Sequence, residues 1–336
     1  MRFVIRAVFL IAVVALLATG AFLAWLKSER AEKMTMLAGE STLATTELGA
    51  VEYRQTGEGT PVLVLHGALG GFDQAELLVE GLPVDAFEIL APSRPGYLRT
   101  PLATGLSPSQ QADSMVALLD TLKIPAVAVV GFSSGAPVAV EFARRHAGRT
   151  KALVLVSPVI KRLLSTQEKP LFPSRVNDAL TGEVGAWYVN HLAGRDPGAV
   201  LRATADLSES GTGTEREGWV RSVLSNPEQT EWFQRLVGTL VPLTSREDGL
   251  RNDLVQMGAL PEDPVAGLNC PTLVVHGVLD SFVPLADVQA AAAKIPGAKL
   301  IEVPNAGHLV FLGPDSAAIW PAIAAFLGAP AAAPAP

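Results

Sequence analysis

The chain is 336 residues long, 49% hydrophobic and 18% charged, with a formal net charge of −7. That length fits one large domain carrying an insertion, with enough apolar content for a full core. Phosphate binding needs clustered cations, and no lysine or arginine run is present; nucleic acid is excluded as a partner, and an uncharged or weakly charged substrate is easier to accept.

Residues 7–26 carry no charge, and as a helix they span about 30 Å, the thickness of a bilayer's hydrocarbon core. Arg2 and Arg6 precede the stretch; Lys27, Arg30 and Lys33 follow it. A cleaved signal has a shorter apolar region and a small-x-small site, whereas this one ends in Trp25-Leu26-Lys27, in the manner of an interfacial anchor. Residues 1–27 are therefore read as a transmembrane anchor, with a cleaved signal as the alternative. A basic, apolar N-terminal segment resembles an export signal, which would put the rest of the chain in the periplasm or outside a bacterial host. Residues 28–50 are polar to mixed and read as a stalk.

The fold is expected to begin at Val51. Residues 62–65, 87–90, 126–130, 152–156, 272–275 and 299–303 are short runs rich in valine and leucine that do not alternate with polar residues, which suits strands buried on both faces of a parallel sheet. Helices are expected between them. One starts at Ser107-Pro108-Ser109-Gln110, where a serine N-cap, a proline at the first helical position and a glutamine three residues after the cap form a capping box. Another runs from Pro284 towards Gly297. This order predicts a doubly wound, mostly parallel α/β sheet, whose ligands bind at the carboxyl ends of strands.

The alternation breaks at Ser157 and resumes at Thr272. Residues 158–268 are read as an inserted helical cap, with residues 51–157 and 269–327 as the core. The cap's Trp187, Tyr188, Trp219, Trp232 and Phe233 suggest an apolar roof, and residues 207–218 read as a polar connection. Ser245-Arg246-Glu247-Asp248-Gly249 and Arg251-Asn252-Asp253 read first as a solvated turn, and otherwise as a hinge or rim that touches substrate. Residues 328–336, almost wholly alanine and proline, are expected to form a disordered tail.

Chemistry concentrates at Gly131-Phe132-Ser133-Ser134-Gly135, a G-x-S-x-G sequence between an expected strand and an expected helix. At such a turn a side chain two residues from the nucleophile would collide with the backbone, and Gly131 and Gly135 remove both collisions. Centring the turn on Ser134 would instead put Phe132 and Ala136 at those positions, so Ser133 is the candidate nucleophile rather than a serine that merely caps a helix. A serine hydroxyl needs a base, a group that orients the base, and donors for the oxyanion. His308, after the last strand, is the candidate base, and Asp280, after the strand at 272–275, the candidate acid. Asp287 and Asp263 are nearby acids, but no carboxylate follows the strand at 152–156. The turn His66-Gly67-Ala68-Leu69-Gly70-Gly71 can aim the N–H of Ala68 at the site, with the N–H of Ser134 as the second donor. His66 and His276 are expected to fix loops, His146 to end a helix, and His191 to lie in the cap. The five histidines lack the spacing of metal sites, and the single cysteine, Cys270, can form neither an intramolecular disulfide nor a cysteine-based metal site.

With these motifs in the order Ser, Asp, His, the chain resembles the α/β-hydrolase superfamily over residues 51–327. The glycine-rich turn, Arg94-Pro95-Gly96-Tyr97, the elbow, His276-Gly277-Val278-Leu279-Asp280 and Gly307-His308 all match single-domain serine hydrolases. Ala136-Pro137 departs from the pattern, where a second small glycine is more usual; proline is tolerated in a helix's first turn. The resemblance implies a Ser133, Asp280 and His308 triad, an oxyanion hole from the backbone of Ala68 and Ser134, and no cofactor. Members that open haloalkanes or epoxides carry aspartate at the elbow, so Ser133 argues against those reactions. Hydrolysis of a small apolar carboxylic ester through an acyl-enzyme is expected. Carbon–carbon, lactone or amide hydrolysis and acyl transfer use the same groups. A non-catalytic binding module is the alternative of another class, and the complete triad argues against it.

Overall fold

The computed structural model describes residues 2–162, 182–208 and 211–328. It separates into a unit ending at Glu40 and a unit beginning at Ser41. The first is a helix, α1 (Arg2–Glu40). Its segment from Phe9 onward is long and apolar enough to cross a membrane. Phe9, Leu10, Ile11, Leu16 and Leu17 are exposed, unlike the side chains of a buried core helix.

The second unit is built on an eight-stranded sheet in the order β1-β2-β4-β3-β5-β6-β7-β8. The strands are β1 (Thr42–Thr46), β2 (Gly49–Gly57), β3 (Thr60–Leu65), β4 (Phe87–Pro92), β5 (Val127–Phe132), β6 (Thr150–Val156), β7 (Thr272–Gly277) and β8 (Lys299–Val303). From β4 through β8 every pairing is parallel, while β1 and β2 form an antiparallel edge. All six expected strands are present. The expected stalk is not: α1 runs on to Glu40, and β1 and β2 begin before Val51. Edge strands face water on one side, so Thr42–Thr46 alternates exposed and buried residues and lacks the apolar run that marks the central strands.

Helices α2 (Phe72–Leu77), α3 (Pro108–Thr121) and α4 (Ala136–Arg145) precede the insertion. Ser107 and Gln110 form the expected capping box on α3. Leu118 and Leu119 of α3 and Val140 and Phe142 of α4 share one buried core with Leu63, Val129 and Leu155 from alternate positions of the central strands. Between β6 and β7 lie α5 (Glu183–Arg195), α6 (Pro197–Ser208), α7 (Gly213–Leu224), α8 (Pro227–Gly238) and α9 (Glu247–Gly258); α10 (Leu285–Ala292) and α11 (Ile319–Phe326) follow. The polar connection expected at 207–218 is shorter than its composition suggests. Thr212 and Glu215 form a capping box that starts α7, so those polar residues mark a helix start. The expected tail lies, beyond Gly328, outside the described residues.

The inserted helices seat on the core through aromatic packing and ion pairs. Trp232 donates its indole N–H to the Leu77 carbonyl at 3.3 Å and packs against Phe311, with ring centroids 5.8 Å apart. Trp219 and Phe233 are also buried, so these aromatics are largely consumed in packing rather than left as an open roof. Trp187 stacks on His191.

Candidate active site

β5 ends at Phe132, and Ser133 turns the chain into α4 with φ of +51°. That left-handed conformation costs a non-glycine residue on the order of 1–3 kcal/mol and persists where the surroundings enforce it. Both flanking glycines are required by close approach. A Cβ on Gly135 would lie 2.3 Å from the Leu65 carbonyl oxygen, and one on Gly131 would lie 2.6 Å from the Ala139 Cβ.

The three side chains nominated from sequence meet here. His308 Nε2 lies 2.8 Å from Ser133 Oγ, and His308 Nδ1 lies 2.8 Å from Asp280 Oδ2. A carboxylate oxygen only accepts, so Nδ1 carries the proton and Nε2 is left to receive one from Ser133. Asp280 Oδ1 accepts from the backbone N–H groups of Phe282 and Val283 at 2.8 and 2.9 Å, which fixes the carboxylate independently of the histidine. The acid and base loops are bound to each other by Leu279 N–H donating to the Ala306 carbonyl at 2.9 Å. A Cβ on Gly277 would come within 2.1 Å of the Gly307 oxygen, so this contact needs glycine. Phe132 and Phe282 flank the His308 ring at centroid distances of 5.6 and 5.2 Å.

Beside the elbow, the turn after β3 presents Ala68. Its neighbour Gly67 donates its N–H to Gln74 Oε1 at 3.0 Å, and the Gly67 carbonyl accepts from Gly70 N–H at 3.3 Å. Neither Ala68 N–H nor Ser134 N–H has a protein acceptor among the described residues, as an oxyanion site requires.

His66 and His276 fix loops, as expected. His66 Nε2 accepts from Arg94 N–H at 3.0 Å, so its Nδ1–H donates to the Gly67 carbonyl at 2.7 Å. Burial, reinforced by the Arg94 charge, holds the His66 pKa well below the usual histidine value. His276 donates Nε2–H to the Val283 carbonyl at 2.9 Å, and burial lowers its pKa although Asp280 opposes this.

Within residues 245–253, read first as a solvated turn, Arg246, Gly249, Asn252 and Asp253 are instead buried, and Arg246 and Asp253 bond to the core, while Asp248 and Arg251 are exposed. Arg94 pairs with Asp253 through Nη1–Oδ1 at 2.9 Å and Nη2–Oδ2 at 2.5 Å, and Tyr97 OH donates to the same Oδ2 at 2.6 Å. Ser134 Oγ donates to Asp253 Oδ2 at 2.8 Å and accepts from Arg94 Nη2 at 3.1 Å. Burial would lower the Arg94 pKa, but Asp253 and then Tyr97 outweigh it and the net shift is upward. Burial, then the Asp253 charge, raises the Tyr97 pKa well above its usual value. A second buried arginine, Arg246, donates to the Gly70 carbonyl at 2.6 Å and pairs with Asp73 at 2.7 Å. The sequence did contain a signal. On α9, Gly249, Asn252, Asp253 and Met257 repeat at helical spacing and form the buried face. Asn252 and Asp253 make half of that face polar, so it looks solvated unless its partners on the core are known.

Comparison with known proteins gives consistent results. Residues 60–315 match a family model described as alpha/beta hydrolase fold. The chain is 30% identical over 291 residues to the uncharacterized hydrolase YcgS of Bacillus subtilis, covering 84% of this chain and 96% of that protein. It is 28% identical over 268 residues to a pimeloyl-(acyl-carrier protein) methyl ester esterase of Aromatoleum aromaticum, covering 77% and 95%. Among solved structures, an alpha/beta hydrolase fold protein from Nakamurella multipartita aligns with a TM-score of 0.77 at 29% identity, covering 85% of this chain and 98% of that one.

Proposed function

The chain belongs to the α/β-hydrolase family, and from that premise we propose that it is a serine hydrolase that cleaves carboxylic esters through an acyl-enzyme. The observation that carries this reading is the unbroken series Ser133 Oγ, His308 Nε2, His308 Nδ1, Asp280 Oδ2, with both hydrogen bonds at 2.8 Å. In the proposed reaction Ser133 Oγ bonds the substrate carbonyl carbon as its proton passes to His308 Nε2. The carbonyl π pair moves onto oxygen, which the N–H groups of Ala68 and Ser134 receive. Collapse breaks the bond to the alcohol oxygen, and His308 returns the proton to that leaving group. Water then gives a proton to Nε2 while its oxygen attacks the acyl carbon; the bond from that carbon to Ser133 Oγ breaks, Nε2 returns the proton to Oγ, and the acid is released. Asp280 orients the imidazole and stabilises its cation. None of these steps calls on a cofactor.

The methyl ester esterase among the relatives, 28% identical across most of both chains, supports ester cleavage as the reaction. The phenylalanines flanking His308 support an uncharged, apolar acyl group, because each buried methylene contributes about 0.8 kcal/mol. We further propose that residues 7–26 of α1 anchor the chain in a membrane, with the catalytic unit on the periplasmic or outer side. The deciding experiment combines fluorophosphonate labelling with p-nitrophenyl esters of graded chain length, lactones and amides. Labelling of Ser133, with kcat/KM rising from acetyl to butyryl or hexanoyl esters, is expected. Lack of labelling removes the serine mechanism, and a preference for acetyl, charged acyl groups, lactones or amides removes the substrate reading.

A further inference from the structure

Arg94 lies beneath the candidate oxyanion hole and touches both of its halves. Its Nε donates to the His66 carbonyl at 2.9 Å, and Nη2 approaches the Gly67 carbonyl at 3.4 Å and Ser134 Oγ at 3.1 Å. The Gly67 carbonyl and the Ala68 N–H belong to one planar trans peptide, so they point in opposite directions. Donors that grip the Gly67 oxygen, namely Arg94, the His66 ring and Gly70 N–H, therefore set the aim of the Ala68 N–H. The grip on Ser134 Oγ fixes the residue that supplies the other N–H. Arg94 is buried, and its position depends on a bidentate partner contributed by the inserted segment: Asp253 on α9.

We propose that Arg94 and Asp253 are positioning residues for the oxyanion hole, so that docking of α9 onto the core completes the catalytic machinery. The proposal rests on the serine-hydrolase reading above. Asp253 acts through two contacts, its bidentate hold on Arg94 and its bond to Ser134 Oγ. Two features beside the pair fit it to transmit α9's position. Leu98 N–H donates to the Ser245 carbonyl at 2.6 Å and Gly249 N–H to the Gly96 carbonyl at 2.9 Å, so the backbone around Arg94 is joined to the start of α9. A Cβ on Gly249 would come within 2.3 Å of the Tyr97 ring, so the approach that lets Tyr97 reach Asp253 needs glycine there.

The test uses the full chain in detergent and measures kcat per fluorophosphonate-titrated serine. Asp253→Asn keeps the shape and removes the charge. It is expected to lower kcat per titrated serine about tenfold or more, with KM within about threefold, as loss of an interaction made mainly in the transition state does. Ser134→Ala unpairs no charge and is expected to lose about three- to tenfold, the worth of one buried hydrogen bond, with affinity for a trifluoromethyl ketone falling in proportion. The double variant should lose at least about threefold less than the product of the single losses, because both act through one contact. A merely structural pair gives the opposite pattern: fewer titratable serines and a lower Tm, with kcat per titrated serine unchanged. That pattern, or full additivity, overturns the proposal; if Asp253→Asn does not fold, an unchanged kcat per titrated serine in Ser134→Ala overturns it. Absence of labelling in the native chain is a different result, and it removes the serine-hydrolase reading on which the proposal stands.

Discussion

The hydroxyls of Ser133 and Ser134 are adjacent in sequence and engaged on different partners: Ser133 Oγ meets His308 at 2.8 Å, and Ser134 Oγ meets Asp253 at 2.8 Å. One therefore faces the proposed base and the other the insertion. Ser133→Ala is expected to abolish ester hydrolysis. Ser134→Ala should leave at least about a tenth, because its backbone N–H survives the change and a single hydrogen bond is worth about 1 kcal/mol. Steady-state rates for the two purified variants check this, and equal loss in both would place the nucleophile wrongly.

Asp280→Asn separates the acid's role from its structural one. Oδ1 is held by two backbone amides that an asparagine oxygen can still satisfy, so the loop should keep its shape. The new amide group would face His308 Nδ1 with a donor, favouring the tautomer that cannot take the serine proton. A fall in kcat of about a thousandfold or more is expected, with an unchanged circular dichroism spectrum. A rate near that of the native chain would move the acid elsewhere.

The buried histidines set a pH dependence of stability. His66 and His276 both have pKa values lowered by burial, so the folded chain keeps them neutral below the ordinary value of 6.5 while the unfolded chain takes up protons. The unfolded state then binds more protons, and stability falls as pH drops below 6.5 and stops falling once the folded pKa values are passed. Each histidine contributes a slope of up to about 1.4 kcal/mol per pH unit in that window. The geometry agrees for His276: its Nε2–H is committed to the Val283 carbonyl, and its Nδ1 is buried without a partner among the described residues. Urea unfolding at pH 7 and pH 5.5 should show the loss, and His66→Gln should reduce the slope. A slope unchanged in that variant would show that His66 protonates freely in the folded state.

The core strands and the site were legible in the sequence because both depend on local constraints. A parallel strand buried on both faces must be an unbroken apolar run, and a serine held at positive φ beneath a close strand crossing must be flanked by glycine at Gly131 and Gly135. Leucine and valine at 62–65 and the spacing of the elbow therefore carry their structure with them. The Arg94 and Asp253 pair could not be read in this way. Its members are separated by 159 residues, and an aspartate among Arg251, Asn252 and Gln256 has the same composition whether it faces water or a buried guanidinium. The edge hairpin was missed for a related reason. Thr46 Oγ accepts from Leu48 N–H and donates to the Gly49 carbonyl, so the turn is built by side-chain to backbone bonds that polar residues also make in a stalk.

The anchor makes the last prediction. At 1.5 Å per residue, α1 extends about 58 Å, roughly twice the hydrocarbon core, so a span over residues 7–26 leaves the helix continuing through Lys27, Glu29, Arg30, Glu32 and Lys33 to Glu40. Burying the uncharged stretch in hydrocarbon favours insertion strongly, while Arg2 and Arg6 nearly match the basic residues that follow the stretch, so the lysine and arginine balance does not choose the orientation. The export-like order of basic residues followed by an apolar stretch is the ground for expecting the catalytic unit outside. Fractionation of cells producing the full chain should leave it in membranes resistant to high salt and release it with detergent, and a chain starting near Ser28 should be soluble and active. Protease added to spheroplasts should then digest the catalytic unit. Full protection would reverse the orientation. A full-length chain recovered in the soluble fraction would remove the anchor, and loss of residues 1–27 from the mature chain would establish a cleaved signal in its place.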